Sequence, residues 1–331
     1  MDPLTHGLVG AAASQSFSDK EKMRPAAFIG ALAAMSADLD YFIHIPADPL
    51  FNIEIHRQFS HSLIFIPAGA LIVSVFLYWL VRRHLSYKET YLYCLAGYAT
   101  AGLLDAITSY GTQLLWPFSE VRVAWNLVSV IDPFLTAGLV LLVGLAILKK
   151  EKILIAFAWF WLSLFLIFGL VQKERGRDAL AEFANTRGHF PERVVVKPTI
   201  GNQMLWRGNY IYDGVIYTAG LRPGIFTGVK LYEGESAELV VIDEDFAVYN
   251  GTVLYDDLRR FERLSEGYMV RHPKEPGIIG DGRYAMLPTS LSPLWGVKID
   301  TTNTDQHLPF LFFRDAGEEV RSEFWDMLLG K

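Results

Sequence analysis

Long apolar runs fill the first half of the chain and give way near residue 172 to an alternating, polar-rich texture. Segments 63–81 and 153–171 contain no charged side chain. Each approaches the roughly 20 residues that a helix needs to cross the hydrocarbon of a bilayer. Segment 91–110 is apolar apart from Asp105, and 127–148 apart from Asp132. A lone carboxylate in such a run is costly unless it meets a cavity, a partner or a metal, so both exceptions predict a use. Segment 25–43 is a shorter, alanine-rich candidate, with Pro25 suited to a first helical turn. Segment 3–17 is shorter and more polar still, and predicts a re-entrant or interfacial helix.

From Arg193 onward, short β-rich runs alternate with Gly- and Asp-rich breaks, among them Val194-Val195-Val196, Tyr210-Ile211-Tyr212, Asp213-Gly214 and Val215-Ile216-Tyr217. This is the pattern of antiparallel strands and tight turns. It predicts a small β domain over 190–300, preceded by a polar helix at 174–185 and followed by an amphipathic helix at 317–329. The expected fold class is therefore α+β. A multi-span α-helical membrane domain occupies residues 1–172, and a small β-rich soluble domain occupies 173–331.

Composition sharpens this picture in three places. Of 331 residues, 51% are hydrophobic, which is high for a purely soluble chain. The net charge of −6 argues against a general nucleic-acid binder, because phosphate neutralisation needs clustered Lys and Arg. A single cysteine, Cys94, rules out an intramolecular disulfide and disfavours a Cys-based zinc site. The N-terminus has Asp2 where a basic leader would begin, so His6 is expected to stay in the mature protein. Lys20, Lys22, Arg24, Arg82, Arg83, Lys88, Lys149, Lys150 and Lys152 fall on one side if six helices cross, and outnumber the cations opposite. The positive-inside rule makes that side cytoplasmic, which puts Asp40, His56, His61, Asp105, Asp132 and the C-terminal domain outside. His6 joins them if the first helix crosses.

Four separated segments then concentrate His and Asp toward that outer face. They are Asp2-Pro3-Leu4-Thr5-His6-Gly7, Asp38-Leu39-Asp40, His56-Arg57-Gln58-Phe59-Ser60-His61-Ser62, and Asp105 with Thr108-Ser109-Tyr110-Gly111. Imidazole nitrogen with carboxylate oxygen suits zinc, manganese or iron without any thiolate. The candidate metal ligands are His6, Asp38, Asp40, His56, His61, Asp105 and Asp132. On a regular helix Asp38 and Asp40 diverge by about 200°, so either the helix has ended there or only one of them binds metal. The following Tyr-Phe-Ile-His-Ile-Pro favours an ending helix, and Asp40 is preferred as the ligand. His56 and His61 are five apart and need a loop, with Ser60 as N-cap and His61 in the first turn. Asp2-Pro3 and Asp132-Pro133 also read as plain helix starts. His44 reads as structural, and His84, His189, His272 and His307 as surface histidines.

In the same order, these motifs, together with Asp105-Ala-Ile-Thr-Ser-Tyr-Gly-Thr-Gln-Leu-Leu-Trp-Pro-Phe118, resemble the inner-membrane metal-dependent hydrolases of the YdjM group over about residues 1–140. The resemblance implies a bacterial or archaeal multi-span protein of the cytoplasmic membrane, and it supplies no substrate. Members of the group carry His four residues before the Asp of the fourth segment, where this chain has Ala101. That departure implies a reduced site, with Asp132 or His44 as substitutes, or a loss of activity. The leading expectation is a hydrolase using a divalent transition metal, zinc before manganese or iron, to activate water at the outer membrane boundary. Its substrate would be a phosphoester or lipid-linked molecule, with Arg57 binding its anionic group. The alternative is a non-enzymatic, metal-stabilised sensor, assembly factor or binding protein. The lipid bilayer is the one partner expected, and oligomeric state is unreadable from the chain.

Overall fold

A computed structural model describes residues 1–314 and 317–331. It divides into two compact units. The first comprises Met1–Ile43, Ile55–Leu170 and Ile200–Asn202, and the second His44–Glu54, Val171–Thr199 and Gln203–Lys331. The chain is α+β, with a helical N-terminal part and C-terminal antiparallel sheets.

The helices of the N-terminal half follow in order: α1 (Pro3–Ser16), α2 (Met23–Ser36), a short α3 (Phe51–Ile55), α4 (Ile66–Val81), α5 (Tyr87–Ala106), α6 (Pro133–Lys149) and α7 (Lys152–Thr186). Their starts are written in local chemistry. Asp2 caps α1, with Pro3 in the first turn. Ser86 and Glu89 form a reciprocal capping box on α5. Asp132 caps α6 by accepting from the backbone N–H groups of Phe134 and Leu135, with Pro133 next. The expected helix at 127–148 therefore begins later, at Pro133, because its carboxylate is the cap.

Helices α1, α2 and α5 meet through small residues. A Cβ added to Gly10 or to Gly97 would collide with the Gly30 carbonyl, so these backbones approach more closely than larger side chains permit. This explains the modest hydropathy of segments 3–17 and 25–43: their Gly and Ala face other helices. Two helical segments, Leu63–Val81 and Lys152–Thr186, are long and apolar enough to cross a membrane, and α6 is apolar but shorter. They carry large apolar side chains on their outer faces, including Phe76, Trp79 and Leu80 on α4 and Phe157, Phe160 and Ile167 on α7. Contiguous exposed apolar surface of this kind is unfavourable in water and suited to lipid. Helix α7 is continuous for 35 residues, so the polar helix expected at 174–185 is its extension.

In the second unit, β1 (Arg193–Pro198), β2 (Trp206–Tyr212), β3 (Val215–Pro223) and β4 (Val229–Glu238) form an antiparallel meander. Asp213 and Gly214 both adopt left-handed backbone, at φ 50° and 70°, and make the two-residue hairpin that Tyr-Asp-Gly predicts. A one-turn α8 (Ile242–Asp245) and the amphipathic α9 (Val253–Leu264) follow. Next comes a second meander of β5 (Met269–Arg271), β6 (Ile278–Asp281), β7 (Trp295–Lys298) and β8 (Phe310–Phe312), and then α10 (Glu318–Leu329). Leu254, Leu258 and Phe261 of α9 are buried together with Met269, Ile279 and Val297 of the second sheet.

Candidate metal centre

All the polar residues of the site lie in the first unit. His6 sits one turn into α1, behind the Asp2 cap, and is fully buried. Asp38 and Asp40 fall on a 3-10 turn, Ala37–Phe42, that ends α2. His61 closes a second 3-10 turn, Phe59–His61. Gly102 of α5 lets that turn approach, since a Cβ there would strike the His61 carbonyl. Tyr98 also holds the turn by donating to the Ser60 carbonyl at 2.8 Å. Asp105, one turn after Ala101 on α5, is completely buried.

The divergence of Asp38 and Asp40 has a geometric consequence: the two carboxylates grip His61 from opposite sides. Asp38 Oδ1 lies 3.3 Å from Nε2, and Asp40 Oδ2 lies 3.3 Å from Nδ1. Asp105 then joins the Nε2 side, with Oδ2 3.1 Å from His61 Nε2 and Oδ1 3.2 Å from His6 Nε2. His6 Nε2 is also 4.0 Å from Asp38 Oδ2. One donor atom each from His6, Asp38 and Asp105 falls within 4.8 Å of the others.

Asp40 and His56 stand behind this group. Asp40 Oδ1 is 2.7 Å from His56 Nδ1, and Asp40 Oδ2 accepts from the Arg57 backbone N–H at 3.0 Å and from the Ser60 hydroxyl. Ser60 gives its only proton to Asp40, so at 2.9 Å its oxygen accepts from His61 Nδ1. That places the proton of a neutral His61 on Nδ1 and leaves the Nε2 lone pair toward Asp38 and Asp105. Ser60 is thus a link between Asp40 and His61, not the expected N-cap of the following helix, for which no side-chain cap bond forms. Burial alone lowers the pKa of the His61 imidazolium, but Asp105, Asp38 and Asp40 at its two nitrogens outweigh it and hold the value up at about 10.

Arg57 has a left-handed backbone, at φ 61°, which is uncommon outside glycine. Its buried guanidinium lies with Nε 3.0 Å from Asp105 Oδ2, and Nη1 donates to Thr108 at 3.5 Å. The Met1 ammonium also bonds Asp105, a contact for which the sequence pattern carried no signal. Asp105 therefore collects cationic groups.

Other candidates lie apart. Asp132 is engaged at the start of α6, and His84 is exposed. Ala101 is fully buried among apolar neighbours that include Ala33 and Ala37, and offers no ligand where the resemblance implies His. His307 departs from the expectation of a surface histidine without an acidic partner: its Nδ1 is 3.0 Å from Asp257, near Asp48. One ligand atom each from Asp48, Asp257 and His307 also falls within 4.8 Å of the others. Arg260 engages both carboxylates with bonds of 2.8–2.9 Å, much as Arg57 and the Met1 ammonium engage Asp105.

The donor atoms of His6, Asp38 and Asp105 lie close enough together to hold a metal ion. Buried His61 Nε2, Asp105 Oδ2 and Arg57 Nε lack an aligned hydrogen-bond partner among the described residues, although Asp105 Oδ2 lies 3.0 Å from Arg57 Nε and 3.1 Å from His61 Nε2. Ligands at about 2.0–2.2 Å from a tetrahedral ion are about 3.4 Å apart, in the middle of the distances here.

Residues 1–176, just over half of the chain, match the family described as YdjM inner membrane protein. A segment of 142 residues is 28% identical to the protein named Uncharacterized protein YfhP of Bacillus subtilis (strain 168), covering 41% of this chain and 43% of that one. No solved structure matches.

Proposed function

This chain belongs to the YdjM inner membrane protein family, and we propose that its N-terminal unit holds one divalent transition metal and acts as a hydrolase at the membrane–water boundary. The ligands in this reading are Nε2 of His6, Nε2 of His61, and the carboxylates of Asp38 and Asp105. The observation that carries it is the convergence of these four groups: Asp105 lies 3.1 Å from His61 Nε2 and 3.2 Å from His6 Nε2, and Asp38 lies 3.3 Å from His61 Nε2. A His2Asp2 set without sulfur suits zinc first, then manganese or iron. When bound, such an ion supplies Lewis acidity that brings deprotonation of a water molecule near neutral pH.

The chain's own residues would divide the remaining work. Asp40, with Ser60, orients His61 and fixes its tautomer, as carboxylates behind metal-binding histidines do. His56, 28% exposed and held through Nδ1 by Asp40, is placed to move a proton at the rim. Asp38, 23% exposed, marks the side from which a substrate enters. Arg57, buried and paired with Asp105, would reach an anionic group of a phosphoester or lipid-linked substrate by exchanging that pairing. The loop charges favour a multi-pass arrangement with this site and the C-terminal unit outside the cytoplasmic membrane.

One observation favours a second reading. His6, His61 and Asp105 are almost wholly buried, and four protein ligands complete a tetrahedron, as in structural metal sites. The chain would then be a metal-stabilised sensor or assembly protein. Assaying the full-length protein in detergent against phospholipids and soluble phosphoesters separates the two. Hydrolysis that is lost in His56→Ala, with metal content unchanged, supports the enzyme. A fully metallated protein inactive on every substrate class supports the structural role.

A further inference from the structure

We propose that the β3–β4 hairpin is a membrane anchor whose tip, Ile225-Phe226, inserts into the lipid surface beside the end of α7. The inference rests on α7 crossing the membrane and is independent of the metal. The apolar run of α7 ends at Val171, and the next turn is Gln172-Lys173-Glu174-Arg175. Two of these side chains turn back to hold the hairpin. Gln172, itself buried, donates to the Pro223 carbonyl at 2.9 Å and accepts from Arg175 at 2.8 Å. Arg175 donates to the carbonyls of Gly224, at 2.5 Å, and Thr227. The Gly224 N–H bonds the Gly228 carbonyl at 3.1 Å, closing the loop.

The carbonyls of Pro223, Gly224 and Thr227 are held by α7 and the loop closes through Gly224 and Gly228, while the side chains at its tip are exposed. Ile225 is 58% exposed and Phe226 is 97% exposed. Gly224-Ile-Phe-Thr-Gly228 contains no charge. Leaving two such side chains in water is unfavourable. Arg175 lies four residues beyond Val171, about 6 Å along the helix axis, so the tip stands near the level where the span leaves the hydrocarbon. Aromatic side chains concentrate at that depth. An apolar tip with no charge, clamped to the exit of an apolar span, matches a lipid surface better than a protein partner, whose interface would extend over more than two residues.

The test uses the full chain with Cys94→Ala in phosphatidylcholine–phosphatidylglycerol vesicles, labelled with an environment-sensitive fluorophore at one introduced cysteine. Phe226→Cys reads the tip, Phe76→Cys reads the 72%-exposed outer face of α4, and Val248→Cys reads an 83%-exposed position of the second unit. Blue-shifted emission and quenching by doxyl-labelled lipid at 226 and 76, but not at 248, is the expected result. Water-like emission at 226 with quenching at 76 overturns the anchor while the membrane reading stands. Absence of quenching at both positions overturns both.

Discussion

His61 is the residue on which the site turns, because its two nitrogens meet different sets of carboxylates. Asp38 and Asp105 face Nε2, while Asp40 and Ser60 face Nδ1. The account therefore predicts different outcomes for two nearly adjacent aspartates. Asp38→Asn should lower metal stoichiometry, as should His61→Ala. Asp40→Asn should keep the stoichiometry but weaken affinity about 10- to 100-fold, as loss of an orienting carboxylate does. Equal effects, read by competition with a chelating dye, would contradict the layered arrangement. The sequence pattern predicted that the two aspartates diverge, yet favoured Asp40 as the ligand. The 3-10 turn and the Ser60 link that decide between them have no periodic signature. A pH dependence follows from the same ring. In the metal-free protein the His61 pKa of about 10 lies above its ordinary 6.5, so protonation contributes its full stability below about pH 6.5 and loses it as pH rises toward 10. A metal ion competes with that proton, so affinity should rise about tenfold per pH unit between roughly pH 7 and 10. A pH-independent affinity measured in buffers that do not bind metal would argue against His61 as a ligand.

Among the helices, α1, α2 and α5 set the positions of His6, the Asp38–Asp40 turn and Asp105, and they meet through Gly10, Gly30 and Gly97. Gly97→Val should lower the thermal midpoint in detergent by several degrees or prevent folding, since overpacking costs about 1–3 kcal/mol or more and the Gly30 backbone has no room to yield. Gly144→Ala on α6, where an added Cβ meets nothing within 4 Å, should be neutral or slightly stabilising. Matching midpoints for both variants would mean that the close approach is not needed. At this scale much was legible: the two charge-free runs, the Asp-Pro helix starts and the Asp-Gly hairpin all follow from local chemistry. The extent of α7 was not, because no breaker separates its apolar and polar parts. Nor was the role of segments 3–17 and 25–43, whose Gly and Ala read as weak hydrophobicity although they form the contact surface.

For the whole molecule, the chain combines a helical membrane-family half with two antiparallel meanders, and the cluster of His6, Asp38, His61 and Asp105 lies in the first half. The residue types and the four separated segments were readable, but the pattern preferred Asp40 over Asp38 and kept His56 among the ligands. The exclusion of Asp132 and His56 from the innermost group was not readable, because an Asp that caps a helix and one that faces a cluster look alike in sequence. The Met1 ammonium and the Arg260 network likewise depend on long-range contacts that no spacing rule encodes. The central claim is that these four side chains hold a metal, and metal analysis of the purified full-length protein tests it most directly. The account predicts about one zinc, manganese or iron ion per chain, lost in folded His61→Ala and Asp38→Asn variants. A folded protein that binds no transition metal on titration, or keeps its metal unchanged in both variants, would contradict it.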